Sequence, residues 1–104
     1  MSRRLIIRPE AEAELAAAFA WYEKRVSGLG SEFLLCVDAV LISIGRNPQH
    51  SALVHRNVRR ALTRRFPYEV FFVVDGERIV VLAVFHARRD PKRWQERLQR
   101  DPSG

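Results

Sequence analysis

Two almost uninterrupted apolar segments near the C-terminal end restrict the fold of this chain more than any other feature. Residues 68–74 and 78–85 are β-branched or aromatic almost throughout, and Asp75-Gly76 lies between them. Strands that are covered on both faces have this composition. Asp-Gly between two such segments is a strong signal for a two-residue hairpin turn. The sequence therefore predicts an antiparallel hairpin of two buried strands.

The N-terminal half has the periodicity of two amphipathic helices. Residues 5–7 are apolar and suit a first strand, and Pro9 then stands where the first position of a helix tolerates it. Apolar residues recur at helical spacing on either side of a Ser-Gly-Leu-Gly-Ser break at 27–31. The first face is Ala11, Leu15, Ala18, Phe19, Tyr22 and Val26, and the second is Phe33, Val37, Val40, Leu41 and Ile44. So short a break predicts an antiparallel helical hairpin.

A further strand is predicted over 58–65. Its apolar residues fall on one face, and Arg59 and Arg65, an even number of positions apart, fall on the other. After the last strand, Asp90-Pro91 is typical of an N-cap followed by proline at the first helical position. A short final helix is therefore expected.

The predicted order of elements is β-α-α-β-β-β-α. We expect an α+β fold of two layers, in which the helical hairpin packs on one face of a mainly antiparallel four-stranded sheet. At 104 residues the chain is long enough for one hydrophobic core. Residues 1–100 are expected to form a single domain, and 101–104 a loose C-terminal tail.

Arginine dominates the charge of this chain. Lys and Arg number 18 against 12 Asp and Glu, which gives a formal net charge of +6, and only Lys24 and Lys92 are lysine. Arginine holds phosphates and carboxylates in a planar, bidentate fork. The composition therefore indicates an acidic partner, either nucleic acid or a protein segment rich in Asp and Glu. A codon bias that favours arginine everywhere is the alternative explanation.

Several classes of site are not expected. Cys36 is the only cysteine, which precludes an internal disulfide and fits a reducing compartment. His50, His55 and His86 are not at metal-ligand spacing, so neither a metal nor another cofactor is predicted. No apolar segment approaches the length of a signal peptide or a membrane span. We therefore expect a cytoplasmic protein.

An ordered series of short motifs resembles the RelE/ParE family of toxins. The series is residues 11–15, Trp21-Tyr22, Gly28-Leu29-Gly30 with Phe33, Asn47-Pro48, Arg59-Arg60, Phe66-Pro67-Tyr68, and His86-Ala87-Arg88-Arg89-Asp90-Pro91 before Trp94 and Arg97. No single motif is specific, but their order along nearly the whole chain is. The resemblance implies the toxin of a type II toxin–antitoxin module, which arrests bacterial growth until a cognate antitoxin neutralises it.

The resemblance implies one of two activities. ParE-like members, including plasmid stabilisation proteins, inhibit DNA gyrase by binding it, whereas RelE-like members cut messenger RNA on the ribosome. We predict the ParE-like activity and keep the RelE-like endonuclease as the alternative. A non-toxic, basic nucleic-acid-binding domain ranks last. Such a domain interleaves aromatic residues with arginine on an open face, whereas Phe71, Phe72 and Phe85 lie in segments predicted to be buried.

An endonuclease would need a general base, cations at the phosphate and a general acid. The candidates are His86, Arg59, Arg65, Arg89 and Tyr68. A histidine at a strand end is more often structural, and a tyrosine after Phe-Pro is more often a core ring. Many RNA-cleaving relatives have a tyrosine near the end of the last strand, but no tyrosine follows Tyr68 here. No carboxylate lies between 49 and 57. The nuclease set is incomplete, which favours the ParE-like activity.

The same arginines are candidates for binding the antitoxin. We expect the antitoxin to bury apolar side chains on the exposed sheet and in the helical-hairpin groove. Cations would lie at the edge of that surface and meet its carboxylates. The predicted partner-binding residues are Arg59, Arg65, Arg88, Arg89 and Trp94.

Overall fold

The computed structural model describes residues 3–100, so the predicted tail at 101–104 lies outside the described residues. The elements in chain order are β1 (Arg4–Ile7), α1 (Pro9–Arg25), α2 (Leu29–Arg46), a 3-10 turn (Pro48–His50), β2 (Ala52–His55), β3 (Val58–Leu62), β4 (Tyr68–Asp75), β5 (Arg78–His86) and α3 (Pro91–Arg100).

The strands form one sheet in the order β1-β5-β4-β3-β2. β1 runs parallel to β5, and the other neighbours are antiparallel. The predicted α+β fold is confirmed, but the sheet has five strands rather than four. The additional strand, β2, has only four residues and turns into β3 through Arg56-Asn57, with Arg56 at φ +51°. It escaped prediction because it is too short for a periodic pattern and its turn lacks the usual glycine.

The β4–β5 hairpin is buried on both faces, as its composition predicts. Val70, Phe72 and similar residues pack under the helical hairpin of α1 and α2. The alternate residues face the other way, where Trp94 and Leu98 of α3 cover them. The rings of Trp94 and Phe71 are stacked with centroids 4.9 Å apart. The final helix therefore adds a third layer to the predicted two, because the second face of a buried hairpin also needs cover.

A bulge interrupts the pairing of β4 and β5 close to the point where β1 ends. Phe71 pairs with Ala83 and Phe72 with Val81, which leaves Leu82 as the extra residue. β1 ends opposite Val81, so the following residues of β5 have no strand on their outer side. Two charged side chains from the helices, Glu14 of α1 and Arg97 of α3, take the place of that strand.

Their hydrogen bonds are specific. Glu14 Oε1 accepts from the backbone N–H of Val84 at 2.9 Å, and Arg97 Nη2 donates to the carbonyl of Leu82 at 2.8 Å. The two side chains also form an ion pair at 2.6 Å, with 20% of each exposed. Backbone groups at a sheet edge that is partly buried need such partners. The pair therefore ties α1, β5 and α3 together.

The two helices of the hairpin approach each other closely at Gly30. A Cβ at this position would lie 2.7 Å from the carbonyl oxygen of Phe19 and 2.8 Å from its ring. The turn before it uses Gly28 at φ +88°. The carboxylate of Glu23 accepts from the backbone N–H groups of Gly28 at 2.8 Å and Gly30 at 2.9 Å. Glycine at position 30 is therefore required for the contact between the helices.

We expect Gly30→Ala to lower the free energy of unfolding by about 1–3 kcal/mol, because the new methyl group overlaps a backbone atom. Gly45→Ala is the matched control, since it lies in the same helix and its Cβ would meet nothing within 4 Å. It should raise the free energy of unfolding by up to about 1 kcal/mol through helix propensity. Urea unfolding of the two variants measures both changes. Equal changes in the free energy of unfolding for the two variants would contradict the close approach of the helices at Gly30.

Candidate functional site

The residues predicted for an endonuclease lie in three separate places. Arg59 pairs with Phe72 across β3 and β4, four positions along β4 from Tyr68. That separation is about 13 Å at ~3.3 Å per residue. The guanidinium of Arg59 donates to the carbonyl of Ser51 at 2.6 Å and, more weakly, to that of Gln49 at 3.4 Å. Arg59 therefore holds the connection between α2 and β2.

The prediction that Arg59 and Arg65 share one face of one strand is wrong. β3 ends at Leu62, and Arg65 lies in the following loop with φ +70°. Its guanidinium forms an exposed ion pair with Glu32 of α2 at 2.8 Å. The hydrogen bond from Arg65 to Glu32 raises the pKa of the guanidinium, and their opposite charges raise it further. β3 is shorter than the strand predicted over 58–65, and Arg65 lies beyond its end. The even spacing of Arg59 and Arg65 therefore does not place them on one face.

Tyr68, His86 and Arg89 do come together. Tyr68 and His86 are direct partners across β4 and β5, with ring centroids 5.2 Å apart. His86 Nδ1 accepts from the backbone N–H of Arg88 at 3.0 Å. Arg89 lies with its guanidinium 4.8 Å from the ring centroid of Phe85. These residues form one wall of a cleft of about 400 Å³, which we call the His86 cleft.

The other wall of the His86 cleft is α1. The lining residues are Glu14, Ala17, Ala18, Trp21, Tyr22, Tyr68, Val84, His86 and Arg89. Burial raises the pKa of Tyr68, the neighbouring Tyr22 raises it further, and the cation of Arg89 lowers it in part. A raised pKa makes a phenol a weaker acid. Glu14 is engaged by Arg97 and by a backbone N–H. Among the described residues that line it, the cleft therefore offers hydrogen-bond donors, one cation and one carboxylate, which is occupied.

A second concave surface lies between α2 and β3 and has a volume of about 630 Å³. We call it the α2–β3 groove. Its lining is Glu32, Leu35, Cys36, Ala39, Val40, Ser43, Ile44, Asn47, His50, Ser51, Ala61, Leu62, Arg64 and Arg65. Leu35 and Leu62 are 68% and 61% exposed. Contiguous exposed apolar surface marks an interaction site.

The sheet edge along this groove is open. β2 begins at Ala52, which pairs with Arg60, so β2 does not flank Ala61 or Leu62. The sequence predicts a docking groove at the helical hairpin with Arg65 at its edge, but it does not show that β3 and Leu62 form the other wall. The available signal was Leu35, an apolar residue off the buried face of α2, but a single such residue is common on protein surfaces.

The remaining predicted partner-binding residues differ in exposure. Arg88 and Arg89 are exposed in the loop between β5 and α3. Trp94 is only 8% exposed and stacks on Phe71, so in this arrangement its ring packs inside the chain. Phe71 is itself fully buried, as the sequence predicts. The roles of the arginines and Trp94 in partner binding stay predictions.

Two comparisons identify the family. The model of the ParE toxin of the type II toxin–antitoxin system, parDE, matches residues 5–91. Among curated proteins, Toxin ParE2 of Mycobacterium tuberculosis is 32% identical over 92 residues, which are 88% of this chain and 88% of that protein. The chain belongs to the ParE toxin family. The predicted resemblance to RelE/ParE toxins is thereby confirmed, and this chain is a toxin of the type II toxin–antitoxin class.

Solved structures share the fold of this ParE-family toxin. A chain of the chromosomal ParDE system of P. aeruginosa has a TM-score of 0.71 at 18% identity, covering 84% of this chain and 98% of that one. A chain of the M. tuberculosis toxin–antitoxin complex RelBE2 has a TM-score of 0.61 at 17% identity, covering 83% and 99%. A mutant of the E. coli toxin RelE in the free state has a TM-score of 0.64 at 15% identity, covering 96% and 98%.

Residues 3–100 contain neither a membrane-spanning helix nor a metal-binding cluster. None of the helices there is both long enough and apolar enough to cross a membrane. In the same part of the chain, no three His, Cys, Asp or Glu residues are grouped as a metal ion would require.

The two tyrosines of the ParE-family toxin should lose their phenol protons at a higher pH than an exposed tyrosine does. Burial raises the pKa of Tyr22 and of Tyr68 above the ordinary value of 10.0. As the pH rises from that value to the folded one, the unfolded chain loses phenol protons that the folded chain keeps. The free energy of unfolding should therefore fall with pH in this window and be unaffected below it.

Ultraviolet titration of the phenols checks this expectation. The midpoint should be higher in buffer than in urea, and Tyr68→Phe should make the alkaline loss of stability shallower. Equal midpoints in the two solvents would contradict the partial burial of the two tyrosines.

Proposed function

We propose that this ParE-family toxin arrests bacterial growth in the cytoplasm by binding and inhibiting DNA gyrase, and that a cognate antitoxin neutralises it. One observation carries the choice of a binding mechanism over cleavage. Two of the three cations predicted for an endonuclease are apart from His86, since Arg59 is held by Ser51 and Arg65 by Glu32, and Arg89 alone lies beside it.

The chemistry of RNA cleavage supports this choice. Cleavage needs a base for the 2′-hydroxyl, cations at the phosphate and an acid for the leaving oxygen. The His86 cleft has one cation, Arg89, and a tyrosine whose pKa is raised. Its carboxylate, Glu14, already serves Arg97 and Val84. We therefore propose that a toxin with this surface acts by binding its target and not by cleaving RNA.

We expect induction of the toxin alone to stop growth, and co-expression of the adjacent antitoxin gene to restore it. The purified toxin should inhibit DNA supercoiling by gyrase and leave messenger RNA intact in an extract that contains ribosomes. His86→Ala should keep its toxicity, because no proton transfer is needed. Ribosome-dependent cleavage that falls by about 100-fold in His86→Ala, as for a general acid–base residue, would instead support the RelE-like activity.

The α2–β3 groove is the proposed docking surface for the antitoxin. Structural relatives of this chain come from ParDE and RelBE2 toxin–antitoxin assemblies. An amphipathic antitoxin segment fits the groove, because apolar side chains would cover Leu35 and Leu62 while a carboxylate meets Arg64, or competes with Glu32 for Arg65. Arg59 is also a predicted partner contact, but its guanidinium already donates to the carbonyl of Ser51. We therefore expect it to contribute less to antitoxin affinity than the residues that line the groove.

Antitoxin affinity should depend on the apolar lining. We expect Leu35→Ser and Leu62→Ser each to weaken binding about ten- to hundredfold, since each removes a side chain worth about 1.5–3 kcal/mol when buried. Val26→Ser is the matched control, because Val26 is 58% exposed and lies outside the groove. Arg65→Gln should cost tenfold or less and reduce the salt dependence.

Calorimetric titration with the purified antitoxin at low and physiological salt measures these effects. A loss of affinity in Val26→Ser as large as in the groove variants would contradict the location. The paired change Arg88→Ala with Arg89→Ala tests the alternative edge at the loop before α3, and a larger loss there would move the docking surface to that loop.

A further inference from the structure

The His86 cleft contains polar groups that the fold leaves without partners. Within the described residues, no hydrogen bond or ion pair engages the hydroxyls of Tyr22 and Tyr68, Nε2 of His86 or the guanidinium of Arg89. All four residues line the same concavity. Small ligands bind in concave sites where a few polar groups converge.

These groups face one another across a short distance. The ring centroids of Tyr22 and Tyr68 are 6.2 Å apart, and those of Tyr68 and His86 are 5.2 Å apart. The charges of Tyr22 and Arg89 both act on the pKa of Tyr68. The polar ends of the side chains therefore border a common space rather than separate parts of the surface.

Each of the four groups is a donor at neutral pH. The backbone N–H of Arg88 donates to His86 Nδ1, so in the neutral ring the proton is on Nε2, which borders the cleft. Both phenols keep their protons, since burial raises their pKa values. The guanidinium of Arg89 is always charged. A set of donors with one fixed cation is complementary to an anion.

The acidic side chain of the cleft does not oppose this charge pattern. Glu14 is neutralised by the ion pair with Arg97 at 2.6 Å, and its other oxygen accepts from Val84 at 2.9 Å. The chain as a whole has a net charge of +6, which attracts anions over a longer range. A phosphate also suits the site better than a carboxylate, because it presents more acceptor oxygens to four donors.

The cleft has an aromatic wall beside these donors. Trp21 is 50% exposed and lines the same space. The guanidinium of Arg25 covers one face of the indole, 3.5 Å from its centroid, so a base would have to stack on the other face. Exposed aromatic rings next to cations are the surfaces on which nucleic acid bases stack.

We propose that the His86 cleft binds a nucleotide, with its phosphate held by Arg89, His86 and Tyr68 and its base against Trp21. The inference concerns binding alone and assigns no bond cleavage. The cleft shares no lining residue with the α2–β3 groove, so this site is tested separately from antitoxin binding.

The experiment is a nuclear magnetic resonance titration of the full chain with adenosine monophosphate, ribose phosphate, inorganic phosphate and adenosine. The two tryptophans give separate indole signals. Trp21 should shift and saturate with adenosine monophosphate, while the buried Trp94 should not move and serves as the folding control. Adenosine monophosphate should bind about tenfold more tightly than ribose phosphate, through one stacked base.

Matched variants separate the contributions of phosphate and base. Arg89→Gln should weaken binding of every phosphate ligand about tenfold or more, because it removes a charge-assisted contact. Arg88→Gln removes an equal charge from the adjacent exposed position and should change affinity less than about twofold. Trp21→Leu should abolish the advantage of adenosine monophosphate over ribose phosphate and leave phosphate binding in place.

Three results would overturn the proposal. One is shifts that do not saturate and spread over all arginines, which indicates general charge attraction. Another is equal losses in Arg89→Gln and Arg88→Gln. The third is adenosine binding as tightly as adenosine monophosphate. A preserved Trp94 signal in each variant ensures that none of these results comes from misfolding.

Discussion

The β4–β5 hairpin is buried on both faces, and this burial determines where most of the other elements pack. Phe72 on one face needs the helical hairpin, and Phe71 on the other needs α3. Each large side chain hidden in this way contributes about 1.5–3 kcal/mol, so neither face can stay open without a large loss of stability. The close approach of the two helices at Gly30 follows from the same demand for a dense core.

The backbone groups at the outer edge of β5 that lack a strand partner are bonded by the Glu14–Arg97 ion pair. Where β1 ends, the outer edge of β5 would bury unpaired backbone groups, and Glu14 and Arg97 satisfy them. Burying a charged pair is costly unless its remaining hydrogen bonds are made. Here both side chains also bond to backbone, so the pair joins helices from opposite faces of the sheet. It also leaves the His86 cleft without a free carboxylate.

The functional consequence is a separation of surfaces. The α2–β3 groove is apolar with Arg65 at one end, whereas the His86 cleft presents hydrogen-bond donors and Trp21. The antitoxin and the nucleotide that we propose as ligands therefore have different places on the described part of the chain. The separation of Arg59 and Arg65 from His86 is the physical basis for our proposal that the toxin acts by binding.

The sequence by itself determined the helical hairpin and the hairpin of buried strands, because the apolar strands around Asp75-Gly76 and the two helical periodicities are local patterns that report burial directly; the third layer, formed by α3, became evident only in the structure. It also determined the family, through the order of its motifs. Tertiary structure decided where the arginines act. Even spacing suggested that Arg59 and Arg65 share a face, but strand length depends on pairing with β2 and β4, and β3 ends at Leu62. The pairing of Glu14 with Arg97, 83 positions apart, likewise has no local signal, because it exists only once the sheet edge that it covers has formed.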